Sequence, residues 1–390
     1  MGISGKVLVI CLTVIITGAA GTIWYLGNDA ELSQRLSQEY SGLLKSQETI
    51  NSDELMLTVP KALPTKPFEY DPAPTADSRD SPGFDLLSNY YYVPFYENNT
   101  GVIKMFVRNI GTRPVFVDGY GAKLAEKDIW FDHVTGVTIQ SGEEKYMGLL
   151  CIQVPEDVDT VVLKPYISLF AQTDSGEWFS YEDQLYDEIE VDVKPLQEQT
   201  YPAIRYNQKE LFIRTNEIVD PLDPTVRELA TSLAIKYPGE YNIYQVCAIF
   251  DYIKESIQYV SDPRGVDQWS APDSTLKIGA GDCDDYAIVL ASMVESIGGT
   301  TRIHMTDTHA FATVYIGSGE SAENIVKAIS SYYGPVTVYY ATDDHGSWMI
   351  LDPTASMYAG GLPGGAALTS DGWTYMNTSA VDIIDILPEL

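Results

Sequence analysis

Apolar residues change their spacing near residue 200, and that change divides the 390-residue chain into two kinds of structure. Before it, Ile103, Met105 and Val107 alternate with Lys104, Phe106 and Arg108, and Ile189, Val191 and Val193 alternate with Glu190, Asp192 and Lys194. Period two marks strands with one buried face. Gly111–Pro114, Ser141–Glu144 and Asp174–Gly176 read as turns between such strands. Residues 84–197 are therefore expected to form a β-sandwich of immunoglobulin-like size. After it the spacing is helical. Asp223 with Pro224 reads as a cap and first helical position. Val226, Leu229, Ala230 and Leu233 then form one face, and Ile243, Val246, Cys247, Phe250, Ile253 and Ile257 form a second.

Upstream of both parts, Val7 to Leu26 carries no charge. About 20 such residues suffice to cross a membrane as a helix. Lys6 before it and Asp29 and Glu31 after it put the short N-terminus in the cytoplasm and the rest outside. A cleaved signal peptide ending at Gly18–Ala20 is the rival reading. The anchor is preferred because the apolar run continues past it. Two Asn-X-Ser/Thr triplets, at Asn98 and Asn377, agree with export. Leu32, Leu36, Tyr40, Leu43 and Leu44 suggest a juxtamembrane helix, and six prolines between Pro60 and Pro82 suggest a semi-rigid spacer. The expected organisation is an anchor (1–28), a helix and Pro-rich linker (29–83), the β-sandwich (84–197) and an α+β domain (198–390).

Charge narrows the partners. Lys and Arg number 24 against 55 Asp and Glu, a net charge of −31. That balance disfavours nucleic acid and the surface of anionic lipid. Four cysteines, none in a CxxC pair or near His at zinc spacing, give neither a disulfide framework nor a zinc site, and no cofactor is called for. Cys151 and Cys247 sit in apolar runs and read as core thiols. His133, His304 and His345 read as surface or loop residues. The stretch Gly360–Gly365 lacks the Lys and the setting of a phosphate loop.

Chemistry concentrates in Gly279-Ala-Gly281-Asp282-Cys283-Asp284-Asp285, followed by the helical face Ala287, Leu290, Ala291, Val294 and Ile297. Cys283 thus opens a helix, with Asp282 as its N-cap. A helix N-terminus favours thiolate and offers amides to an oxyanion. The three neighbouring carboxylates oppose that charge, so a cationic partner is needed. Capping explains them better than calcium does. His309, on the expected strand Thr308–Ile316, is the candidate partner. Asp352, at the end of a strand stopped by Pro353, is the candidate for orienting the His309 ring. Each has a plainer reading: a buried helix-start thiol, a strand histidine and a turn-former.

These three segments, over about residues 205–355, resemble the transglutaminase-like core of papain-like cysteine enzymes. In that superfamily a G-x-G-D-C-x-D segment, an H-A-x strand and a D-P-T segment occur in this order, here as Gly279–Asp285, His309-Ala310-Phe311 and Asp352-Pro353-Thr354. Trp269, Pro272, Thr275 and Leu276 look like the family's lead-in. The resemblance implies a Cys283–His309–Asp352 triad acting on the amide of a protein or peptide substrate, as peptidase or amidase or as acyl transferase to an amine; water as the default acceptor favours hydrolysis over cross-linking. Trp269, Asp282 and Phe311 are then candidates for the substrate cleft or oxyanion site. Two departures stand out: Phe311 where the family often has Trp, and an insert at 317–347 with an expected helix (322–332) and strand (336–342). A catalytically idle surface protein that binds a partner through the same fold is the alternative.

Overall fold

A computed structural model describes residues 49–50, 55–65, 70–125, 127–263 and 268–387. The expected membrane span and nearly all of the juxtamembrane helix lie outside them. Among the described residues no helix is long and apolar enough to cross a membrane.

The chain is a mixed α+β protein with several sheets. Its first part holds β1 (Leu86–Tyr92), β2 (Phe95–Tyr96), β3 (Thr100–Asn109), β4 (Val115–Leu124), β5 (Ile129–Ile139), β6 (Glu144–Gln153), β7 (Thr160–Gln172), β8 (Trp178–Leu185) and β9 (Ile189–Lys194). One sheet is ordered β1-β3-β6. The other is ordered β2-β9-β7-β4-β5, with β8 paired to β7. Period two explains the packing: Ile103, Met105 and Val107 of the first sheet share a core with Val115, Val117, Leu163, Ile167 and Val191 of the second. The three expected turns fall between β3 and β4, β5 and β6, and β7 and β8.

The second part begins with β10 (Ala203–Tyr206), α1 (Lys209–Ile218), α2 (Pro224–Ala234), α3 (Ile243–Ser256), β11 (Gln258–Tyr259), α4 (Pro272–Ile278), β12 (Ala280–Gly281) and α5 (Cys283–Ser296). It continues with β13 (Thr301–Met305), β14 (Ala310–Gly317), α6 (Glu320–Tyr333), β15 (Tyr340–Asp343), β16 (Gly346–Leu351), β17 (Ala366–Thr369), β18 (Gly372–Tyr375) and β19 (Ala380–Asp385). Six strands form a sheet ordered β10-β19-β13-β14-β16-β15. Val289, Leu290 and Met293 of α5 pack on Ala312, Val314 and Ile316 of β14, and the apolar stripes of α2 and α3 join the same core. Burying nearly all of α5 holds its first turn rigidly against the sheet.

Several expectations change. The described part of the Pro-rich segment is no free spacer. Lys61 bridges Asn242 and Ala76 bridges Trp178, while Asp71 N–H donates to Gly136 C=O at 2.8 Å. Extended proline-rich backbone has unpaired donors and acceptors, and here it spends them on both parts of the protein. The insert's strand is shorter than expected, Tyr340–Asp343, because Tyr339 N–H turns to Gly360 C=O instead. His304 is not a surface residue: it is 1% exposed on β13. His133 lies on β5, stacked on Tyr120, with its Nε2 accepting from Cys151 N–H. His345 is exposed, and Cys151 and Cys247 are buried.

Candidate functional site

Three local structures converge at one end of the sheet. The first is the start of α5. Gly279 ends α4 at φ 69°, a left-handed conformation suited to glycine. The chain then pairs β12 with β11 in parallel. A side chain at Gly281 would meet Asp285 at 2.7 Å, so only glycine lets the strand pass so close to the helix. Asp285 anchors the turn: its Oδ1 accepts from Ser270 N–H at 2.7 Å and its Oδ2 accepts from Asp282 N–H at 3.4 Å. Cys283 follows as the first helical residue, half-buried.

The second is His309, at the turn between β13 and β14 rather than within the strand. Its N–H donates to Thr306 Oγ1 at 3.0 Å, and its C=O accepts from Thr306 N–H at 2.8 Å. The third is Asp352, directly after β16. Strands β14 and β16 are antiparallel neighbours, with Ala312 opposite Leu351. His309 and Asp352 therefore meet despite the insert, whose β15 adds outside β16.

His309 Nε2 lies 2.7 Å from Asp352 Oδ2. Burial pushes the imidazole down, but the Asp352 bond and the neighbouring Cys283 thiol outweigh it and lift His309 to about 10; Nδ1 is the ring nitrogen not committed to Asp352. Asp352 is 1% exposed. Burial alone would raise its carboxyl. Bonds from His309, from Gly364 N–H at 2.7 Å and from Thr354 Oγ1 at 2.6 Å hold it below the ordinary range. A dry carboxylate with this many donors is a fixed acceptor for the ring.

Around Cys283 the carboxylates do not add up to three full charges. Burial and a hydrogen bond with Asp282 push Asp284 up to about 9, so it holds a proton at neutral pH. Burial also raises Asp285. The carboxylate oxygens of Asp282, Asp284 and Asp285 lie within 4.8 Å of one another. Asp285 takes two backbone donors, Asp284 Oδ1 accepts from Asp285 N–H at 2.7 Å and Asp282 Oδ2 from Asp262 N–H at 3.4 Å, while Asp282 Oδ1 is buried without a partner among the described residues.

The three remaining candidates have different settings. Phe311 is 1% exposed and stacks behind His309, 6.1 Å between centroids, so it backs the ring and does not face a cleft. Trp269 packs against Ala287, Ile288 and Val219 beneath the Arg214 guanidinium, 3.6 Å from its ring. Asp282 borders Cys283 and caps the helix. Three residues carry no sequence signal of their own. Gly364 donates to Asp352, and a Cβ there would sit 2.7 Å from His309 Nε2. Lys254 donates to Pro353 C=O at 2.6 Å and so fixes the loop that carries Asp352. Tyr259, on β11, is half exposed, and β11 pairs with β12, the strand that leads into Cys283. Gly364 lay within a glycine-rich stretch and was visible only as a non-phosphate loop. Lys254 and Tyr259 needed the fold.

Residues 228–353 match the family model described as the transglutaminase-like superfamily. The chain carries a transglutaminase-like domain. The superfamily is generally enzymatic, and Cys283, His309 and Asp352 all fall inside the matched stretch. No curated protein matches this chain. Among solved structures, a Parabacteroides distasonis protein is similar at 9% identity over 58% of this chain and 65% of its own, with TM-score 0.24. The Escherichia coli alpha-2-macroglobulin is similar at 12% over 55% of this chain and 33% of its own, TM-score 0.21. Red sea bream transglutaminase is similar at 11% over 67% of this chain and 49% of its own, TM-score 0.19. Similarity this slight carries no weight for function.

Proposed function

We propose that the transglutaminase-like domain is a cysteine hydrolase of peptide or Gln-side-chain amides, held outside a membrane by an anchor at residues 7–26. The observation that carries this reading is the buried imidazole–carboxylate pair, His309 Nε2 at 2.7 Å from Asp352 Oδ2, with the Cys283 thiol acting on the same ring. An imidazole lifted to about 10 rests protonated at neutral pH, which is the partner a thiolate needs.

In this mechanism Cys283 Sγ attacks the amide carbonyl carbon, and first-turn amides of α5 take the oxyanion. His309 passes its proton to the leaving amine as the C–N bond breaks, leaving an acyl thioester on Cys283. His309 then accepts a proton from water, which attacks the thioester and releases a carboxylic acid. Asp352 keeps the ring oriented and compensates its charge. The protonated Asp284 spares the thiolate one repulsive charge.

The test is digestion of a proteome-derived peptide library, read by mass spectrometry. The wild-type protein generates new carboxyl termini or converts Gln to Glu, and Cys283→Ala generates neither. Equal product patterns from both proteins contradict the proposal. A fluorescent primary amine added to the reaction separates hydrolysis from transfer by its incorporation.

A further inference from the structure

Lys254 stands in the last turn of α3, a helix whose apolar stripe shares a core with α5. Its Nζ donates to Pro353 C=O at 2.6 Å, and Pro353 is buried. A buried carbonyl without a donor is costly, but any donor removes that cost. An ammonium is more than the carbonyl requires, and half-burying it carries a penalty of its own. Burial pushes Lys254 down.

The charges around Lys254 show what the ammonium meets. Asp352 pulls it back up, and Lys104 of β3 pushes it further down. Glu255, next to it in sequence, is committed to Lys104 at 2.8 Å, while Lys104 also lies over the rings of Phe106 and Tyr146. Asp352 is the carboxylate left to face Lys254.

Both oxygens of Asp352 are already bonded. Oδ1 accepts from Thr354 N–H at 3.1 Å and Thr354 Oγ1 at 2.6 Å, and Oδ2 accepts from His309 Nε2 and Gly364 N–H, each at 2.7 Å. Lys254 therefore acts on Asp352 through the next peptide group and through its charge. The resting triad proposed above sets two anions, Asp352 and the Cys283 thiolate, against one imidazolium, in a chain of net charge −31. Lys254 supplies the second cation.

We infer that Lys254 is a positioning residue of the triad: its ammonium holds the Asp352–Pro353 turn by the Pro353 carbonyl and keeps the Asp352 carboxylate ionised against His309. The inference rests on the cysteine-hydrolase reading and adds a fourth group to it. Its sign is fixed. Removing a nearby cation disfavours the carboxylate, and loosening the turn that carries Asp352 weakens the bonds that favour it, so both effects raise the Asp352 carboxyl.

Nuclear magnetic resonance of the full chain, labelled with nitrogen-15 histidine, tests this. The far-downfield proton on His309 Nε2, identified by its loss in Asp352→Asn, is followed as the pH is lowered. In Lys254→Met, and in Lys254→Gln, which retains a donor, the pH at which the signal vanishes rises by about one unit. Iodoacetamide labelling of Cys283 at pH 6 slows by about threefold or more in both. Lys254→Arg, which keeps charge and donor, restores the signal and the rate, and thermal melts show which variants fold. If the neutral variants melt lower but keep the wild-type pH limit and rate while Asp352→Asn is slow, Lys254 is a structural donor only and the inference is overturned. Failure of Lys254→Arg to restore what the neutral variants lose overturns the role of the charge. If Asp352→Asn itself labels at the wild-type rate, the hydrolytic reading falls and this inference falls with it.

Discussion

Gly364 decides how closely the glycine-rich loop can lie on the His309–Asp352 pair. Its N–H reaches the carboxylate only because no side chain intervenes. Gly364→Ala is expected to push the ring off its acceptor and lower kcat/KM on the order of 100-fold, since a shift of about 1 Å at a reacting group has that effect. A peptide-cleavage assay beside a thermal melt checks it, the melt showing that the fold survives. The pH profile follows from His309. Its folded pKa is raised, so the paired state is complete below about 6.5 and is lost as pH rises through about 10. The alkaline limb of kcat/KM is therefore expected near 10, and a limb near 6.5 would mean an unpaired imidazole. Asp284 shifts the same way with the opposite usual sense for a carboxyl. Its folded form keeps a proton that the unfolded chain releases near 3.8, so it costs stability increasingly from that pH up to about 9. Asp284→Asn, which keeps an acceptor for Asp285 N–H without the titrating carboxyl, is expected to raise Tm at pH 8 more than at pH 5, read by calorimetry at the two pH values.

At the scale of elements, the helices were legible because their caps and stripes agree. Asp223 Oδ1 accepts from Thr225 and Val226 N–H at 2.8 and 3.1 Å, as its position before Pro224 implied. Asp223→Ala is expected to cost about 1 kcal/mol in urea unfolding, with the slope unchanged. The start of α5 was legible for the same reason: Gly279, Gly281 and Asp285 each serve a geometric need visible in their order. What was not legible depends on neighbours brought by the fold. His304 read as a surface residue, but the fold buries it on β13 with Tyr375 of β18 at its ring. Phe311 looked like a cleft residue, but strand alternation next to a turn put it behind His309. The insert at 317–347 does not part His309 from Asp352, because β15 joins the outer side of β16 and leaves β14 and β16 adjacent.

Across the whole molecule, the two parts are tied by more than the linker between them. Val102, Leu149 and Cys151 from the first part are buried in the same core as α3 and α6. Lys104 pairs with Glu255 at 2.8 Å, and Asn99 accepts from Thr337 and Tyr339. A shared apolar core couples unfolding, so one calorimetric transition is expected for both parts, and two resolved transitions would show them to be independent. The Pro-rich segment, through its bridges at Lys61 and Ala76, adds to the coupling, which composition alone presented as a spacer. All of this scaffolding serves a single chemical claim, that Cys283 is an activated thiol. The direct measurement is the rate of Cys283 alkylation by iodoacetamide against pH, followed by intact mass and peptide mapping. The account predicts labelling of Cys283 at least tenfold faster than that of the buried Cys151 and Cys247, slowed at least tenfold in Asp352→Asn. Labelling of Cys283 no faster than of the other two, and unchanged in that variant, would contradict it.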